Sequence, residues 1–184
     1  TFRFLWNEKF SWQEIEETQM VTGGGIALAE HNNCLYISYK NAQNSLSFRT
    51  WNGGDAEAWT EETTITGQVE EGPAMIPCGD QLFVLYVDDK QELVCRTSSA
   101  DALWSQPSSL ATGVVGAPAF LAYGKDSCMT AWRDSTDEIQ YMIYENAKWG
   151  KAQSTGHFTD GTLTLAALGP SLFLIFKTKG EQTM

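Results

Sequence analysis

Four tryptophans set the strongest constraint on what this chain can become. Trp12, Trp59, Trp104 and Trp149 stand 47, 45 and 45 residues apart, and the step from Trp149 through Met184 and on from Thr1 to Trp12 is again 47. A period that survives passage through the chain ends belongs to a ring of like units, because a linear stack has no reason to keep it there. A second aromatic position holds the same register: Tyr39, Tyr86, Trp132 and Phe176 follow at 47, 46 and 44. A glycine opens each unit, at Gly25, Gly72, Gly116 and Gly161.

Within a unit the clearest stretch runs from Gly72 to Leu110. It falls into four short apolar runs, PAMI, LFVLYV, ELVCRT and LWSQPSSL, parted by turn residues such as Cys78-Gly79-Asp80 and Asp88-Asp89-Lys90-Gln91. Runs of that length between turn signals read as strands. The first unit repeats the pattern as GIALAE, CLYISY, SLSFRTW and AWTEETTI, and the third as APAFLAY, SCMTAW, EIQYMIY and KWGKAQS. Four strands in about 46 residues is the size of one β-propeller blade. The expectation is an all-β, four-bladed β-propeller with four antiparallel strands per blade, forming one domain over residues 1–184. Its blades run approximately over 23–71, 72–115, 116–160, and 161–184 together with 1–22. The last blade shows only TLTLAAL and SLFLIF before the chain stops. N-terminal strands would therefore complete it, and closing the ring removes the exposed sheet edges that favour aggregation.

Composition agrees, with 42% hydrophobic and 12% aromatic residues to fill one core and 16 glycines for tight turns. The formal charge of −11 and a pI near 4.5 exclude the basic footprint that nucleic acid or an anionic membrane surface requires. No window approaches the roughly 18 apolar residues of a membrane helix. The start at Thr1 shows no basic and apolar leader, so a soluble chain, cytoplasmic or secreted without a visible signal peptide, is expected. Cys34, Cys78, Cys95 and Cys128 form no CxxC pair. They read as buried free thiols, and neither metal nor cofactor is expected.

The repeated tryptophans stand at the start of the outer strand, where a large ring fills the wedge between neighbouring blades. Arginine recurs at one blade position, as Arg3, Arg49 and Arg96, with Met142 in the fourth place. A half-buried guanidinium must satisfy its donors, so it either bonds a carbonyl or an acid on the next blade or anchors a ligand there. Two places along the strand lie Trp51 and Tyr144, with Ser98 between them in the series. Aromatic rings near strand ends suit stacking on the apolar face of a sugar, and Trp51 and Trp6 are the foremost stacking candidates. The turns between second and third strands carry Asn41 and Asn44, Asp88 and Asp89, and Asp134 with Asp137 and Glu138. Side chains of that kind favour turns for local backbone reasons. His31 and His157 are the only histidines, and nothing in the sequence sets a nucleophile beside them, so no enzyme is expected.

The unit PAMI…GDQLFVLYVDDKQELVCRTSSADALWSQP resembles the repeats of sugar-binding β-propeller lectins of fungi and bacteria, and those of sialidase-like propellers with Asp-box turns. In fucose-binding propellers a strand arginine, an acidic residue and a tryptophan hold the sugar between blades. The resemblance assigns those parts to Arg49, to Glu61 or Glu62, and to Trp59. The Asp-box is degenerate: Ser98-Ser99-Ala100-Asp101-Ala102-Leu103-Trp104 has no glycine after its aspartate, and Tyr144 to Trp149 contains no aspartate. Sialidases resemble six-bladed rings with three converging arginines, which argues against that activity here. Two readings stay open. A lectin for glycans or glycoproteins, with or without self-association, should repeat its ligand set around the ring and gain avidity from weak sites. A non-catalytic protein-binding scaffold, similar in size to hemopexin-like domains, needs only one idiosyncratic face.

Overall fold

The computed structural model describes the backbone of residues 5–8 and 11–14 and, in full, residues 22–53, 59–99 and 103–180. Every regular element among them is a β-strand, so the chain is all-β. Arg3 and the expected junction of Met184 with Thr1 lie outside the described residues.

The first unit is built from β3 (Thr22–His31), β4 (Cys34–Asn41), β5 (Ser45–Trp51) and the leading half of β6 (Thr63–Cys78), each antiparallel to the next. The trailing half of β6 then starts the second unit, pairing with β7 (Gln81–Asp88), which pairs with β8 (Leu93–Ser98) and through it with β9 (Ser108–Ala111). β10 (Val114–Tyr123), β11 (Ser127–Asp134) and β12 (Glu138–Glu145) make the third, and β12 takes both β13 (Lys148–Trp149) and β14 (Gln153–Phe158) as outer partners. Two hairpins complete the described strands: β15 (Thr164–Leu168) with β16 (Ser171–Ile175), and β1 (Leu5–Glu8) with β2 (Ser11–Glu14).

The run QLFVLYV is apolar throughout because β7 is covered on both faces. Its side chains alternate. Leu82, Val84 and Tyr86 enter a core shared with Tyr36, Leu46 and Phe48 of the first unit, whereas Phe83, Leu85 and Val87 enter one shared with Cys128, Trp132 and Met142 of the third. The sheets therefore pack face to face, with their cores between units. Trp104 meets Phe48 of the preceding unit edge-on at 5.6 Å, the wedge position expected for the repeated indoles.

The inner strand of each of the first three units is bulged near its start, with register shifts between Thr22 and Ile26, between Val69 and Ala74, and between Val115 and Ala119. Gly25, Gly72 and Gly116 lie in these bulges, whereas Gly161 precedes β15, which pairs without a register shift. Gly25 and Gly72 touch backbone to backbone, for a Cβ placed on Gly72 would stand 2.5 Å from the Gly25 Cα. No side chain fits between the two inner strands there.

The turn after each second strand is made by one device. Asn41 Oδ1 accepts from the Gln43 and Ser45 amides, Asp88 Oδ1 from Lys90 and Glu92, and Asp134 Oδ1 from Thr136 and Glu138. The residue three places on, Asn44, Gln91 or Asp137, takes positive φ and donates back to the carbonyl of the cap. Its own carbonyl then receives an amide from further along the chain: from Val69 within β6, from Val114 at the start of β10, or from Thr159 between β14 and β15. The turn polar groups thus serve the backbone and tie each unit to its successor.

Three side chains sit differently from their sequence pattern. Phe176, expected in the core, is half-buried against His157 at 5.7 Å. Tyr144, expected as an exposed ring, is half-buried and held edge-on between Phe83 at 5.0 Å and Trp149 at 5.3 Å. The cause lies in the outer strand, where β13 brings Trp149 directly opposite Tyr144. Cys34 is half-buried, whereas Cys78, Cys95 and Cys128 are buried; all four are free thiols. Burial pushes the last three thiols up from their ordinary value, which makes them poor nucleophiles.

Candidate functional site

The side chains with the most chemistry converge on the face of the first unit that points away from the second. Strand parity places them there: on β4 Ile37 and Tyr39 turn to that face, and with Trp59 they form a small apolar cluster apart from the shared core. On β5 Ser47, Arg49 and Trp51 alternate with Leu46 and Phe48, which face the second unit. Residue 59 returns to the sheet by a bridge to Trp51, bringing Glu62 over the middle of the face.

Glu62 is the hub. Its Oε2 accepts from the Tyr39 hydroxyl at 2.8 Å, and its Oε1 accepts from Asn41 Nδ2 and Ser47 Oγ, both at 2.9 Å. Asn41 Nδ2 also donates to Ser47 Oγ at 3.0 Å, so the set is cross-braced. Burial opposes ionisation of Glu62, yet the bonds from Asn41, Tyr39 and Ser47, with the Arg49 charge nearby, hold its carboxyl below the ordinary value. Tyr39 responds in the opposite sense. Burial and the bond to Glu62 push its phenol up to about 12, so it stays a neutral donor across the physiological range.

Arg49 interacts with both Tyr39 and Glu62, and its Nε is buried with no hydrogen-bond partner among the described residues. Trp51 and Trp59 lie at its side with centroids 6.5 Å apart and planes inclined by 32°. Both rings are half-buried, each with an edge left towards solvent. A fixed carboxylate acceptor, a guanidinium donor and two indole rings together can hold a polyhydroxylated ring, with polar groups on its hydroxyls and indoles against its C–H face. They are poorly suited to acid catalysis, because the carboxyl that would give up a proton is held ionised.

The expected residues separate into three groups. Arg49, Trp51 and Trp59 come together, and the acid joined to them is Glu62, through its bonds to Tyr39, Asn41 and Ser47; both it and the neighbouring Glu61 are exposed. Arg96, one unit on, donates from Nη1 to the Ser105 carbonyl at 3.3 Å within its own unit, with Ser98 in the place of Trp51. In the third unit Met142 is core and Tyr144 is enclosed. Trp6 belongs to β1, where its backbone pairs with Gln13; its side chain and Arg3 lie outside the described residues. Among the described residues the full combination therefore occurs once. Sequence reasoning named Asn41 only for its turn and did not single out Ser47, and only their spacing on alternate sides of that turn could have drawn attention to them as a pair.

Solved structures of similar fold include a lectin with fucosides bound. The Aleuria aurantia lectin N224Q mutant in complex with Fucα1-6GlcNAc matches with a TM-score of 0.73 at 13% identity, covering 97% of this chain and 64% of that one. The same mutant with α-methyl-L-fucoside matches equally well over 63% of its length. AofleA from Arthrobotrys oligospora follows at 0.63 and 12% identity, with 87% of this chain and 52% of that one covered. The fold is that of these β-propeller lectins. This chain spans less than two thirds of their length. No protein-family model and no curated protein matches the sequence.

Proposed function

We propose that the chain is a non-catalytic carbohydrate-binding lectin, built as a four-bladed propeller whose last blade combines the C-terminal and N-terminal strands. The observation that carries the functional reading is the convergence of Arg49, Glu62, Trp51 and Trp59 on one sheet face, in a fold shared with structures that hold fucosides. Glu62 accepts from sugar hydroxyls, Arg49 donates to them, and the indoles cover the ring. Fixing both polar partners through Tyr39, Asn41 and Ser47 lowers the ordering cost of binding.

The protein-binding alternative draws support from one fact: this constellation occurs once among the described residues, whereas a multivalent lectin repeats its set. A glycan array followed by calorimetry with methyl α-L-fucoside separates the two. Under the lectin reading Arg49→Ala weakens sugar binding by about 1.5–3 kcal/mol, the usual worth of a hydrogen bond to a charged group, while the melting temperature changes little. Trp51→Ala also loses affinity and keeps its fold. Normal sugar binding by both variants, or an array with no signal, removes the lectin reading in favour of a protein partner.

A further inference from the structure

The turn between β6 and β7 in the second unit rests on the matching turn of the third, between β10 and β11. The Gly79 amide donates to the Lys125 carbonyl at 3.1 Å, from one unit to the next. Gly79 holds a φ of 58°, and a Cβ placed on it would stand 2.6 Å from Asp126 Oδ1, so glycine suits both the backbone and the close approach. A cysteine stands beside each turn. Cys78 precedes Gly79 at the end of β6, and Cys128 follows Asp126 by two residues near the start of β11.

Both side chains turn into the core between the second and third units, where Cys78 is 6% exposed and Cys128 is fully buried. Their thiols are in hydrogen-bond contact with each other. The remaining two thiols are placed differently. Cys95 lies near Cys128 in the same core, but it is engaged by Trp149 and donates to the Arg96 carbonyl at 3.9 Å. Cys34 packs against the other core, between the first and second units. A thiol pair fixed by strands on both sides needs little backbone movement to be joined, which is what the narrow geometry of a disulfide demands.

We propose that Cys78 and Cys128 are an oxidisable pair that staples the second unit to the third, with a low-molecular-weight disulfide, glutathione disulfide, as the oxidant. The inference stands apart from the lectin reading. Cys78, the less buried of the two, gives its proton to solvent, and its thiolate attacks one sulfur of the small disulfide. The S–S bond of that reagent breaks, and one small thiolate leaves and takes up a proton. Cys128, deprotonated in turn, attacks the Cys78 sulfur of the mixed disulfide and displaces the second small thiol. Two protein thiols are thereby oxidised to one disulfide, while one small disulfide is reduced to two thiols. Burial holds both protein thiols above their ordinary value, so the exchange is slow at neutral pH and gains rate as pH rises and the thiolate fraction grows. The closed loop contains β7, β8, β9 and β10, so the link restricts the unfolded chain over a whole unit.

The test incubates the full chain, folded, with increasing ratios of glutathione disulfide to glutathione, at neutral pH and at about pH 8.5, the ordinary thiol value. Free thiols are then blocked and the tryptic peptides read by mass spectrometry. Cleavage at Lys40, Arg49, Lys90, Arg96, Lys125 and Arg133 leaves each cysteine in a peptide of its own. The expected product joins the Cys78 and Cys128 peptides, forms faster at the higher pH, and melts roughly 5–15 °C above the reduced chain. Cys78→Ala and Cys128→Ala should each lose both the link and the difference in melting between oxidising and reducing conditions, whereas Cys95→Ala should keep both. Each variant is compared with itself in two redox states, which separates the staple from any change in packing; should Cys128→Ala fail to fold, Cys78→Ala carries the comparison. Four thiols surviving excess glutathione disulfide at the higher pH would overturn the proposal. So would a lasting glutathione adduct on Cys78, a link made through Cys95, or a Cys78–Cys128 link that leaves melting unchanged.

Discussion

Tyr39 and Tyr86 hold one strand position in adjacent units, but Tyr39 donates to Glu62 at 2.8 Å while Tyr86 opens on a cleft. The difference comes from two outer-strand residues, Glu62 and Pro107, that share a backbone register and little else. Divergence within a common frame lets one repeat carry two kinds of polar surface.

The Glu62 hub makes stability depend on pH in two windows. A carboxyl held below its ordinary 4.5 stabilises the fold above that pH, and the contribution is lost as pH falls through the depressed value. Glu62→Gln should melt a few degrees below the parent at pH 7, and the gap should narrow as pH falls below 4.5 and the carboxyl takes up its proton. Tyr39 behaves oppositely: with its phenol raised from 10.0 to about 12, its contribution is complete below pH 10 and fades as pH climbs towards 12. Melting curves of Glu62→Gln and Tyr39→Phe across pH check this, and a gap independent of pH would refute it.

Gly72→Ala should be among the most damaging small substitutions in the molecule. The added Cβ would lie 2.5 Å from backbone of the facing inner strand, which cannot step aside as a side chain could. A cost of about 1–3 kcal/mol is expected for overpacking, read as a melting shift of roughly 2–4 °C per kcal/mol in a domain this size. Gly67→Ala is the control, since nothing lies within 4 Å of its Cβ position.

Asp134→Ala removes the acceptor for two backbone amides and for the Thr136 hydroxyl. The expected loss is about 1–3 kcal/mol, from two or three net hydrogen bonds. Asp134→Asn keeps the Oδ1 acceptor, as Asn41 does in the first unit, and should recover most of it. Chemical denaturation of the two variants measures the difference; equal destabilisation would show that charge, not turn capping, is what Asp134 supplies.

Deletion of residues 1–18 tests ring closure. If N-terminal strands complete the last blade, the truncated chain melts well below the parent and in one cooperative step. A melting temperature within about 2 °C of the parent, well under 1 kcal/mol for a domain this size, would show that the described units stand without them.

Strands and turn devices were legible in the sequence because both follow local rules. QLFVLYV alternates between two cores, and Asp88 two residues before the Lys90 amide can do little but cap a turn. The site was legible in part. Arg49, Trp51 and Trp59 share a face by the parity of β5 and the Trp51–Trp59 bridge, but the choice of Glu62 over Glu61 depends on how 59–62 rejoins the sheet, which no local pattern encodes. Tyr144 misled for the same reason. Its sequence neighbourhood is polar, and only pairing with Lys148–Trp149 encloses it.

β6 runs unbroken through sixteen residues from the edge of one unit to the centre of the next. The seam between the first two repeats is thus a strand and not a linker, and no proteolytic cut or inserted hinge can part them without unzipping two ladders at once. Such a chain gives up modular exchange of single units. A recombination that swapped repeats at the seam would have to match both halves of one strand, so duplication in blocks, with the breakpoint in a hairpin turn, is the route by which this architecture can grow.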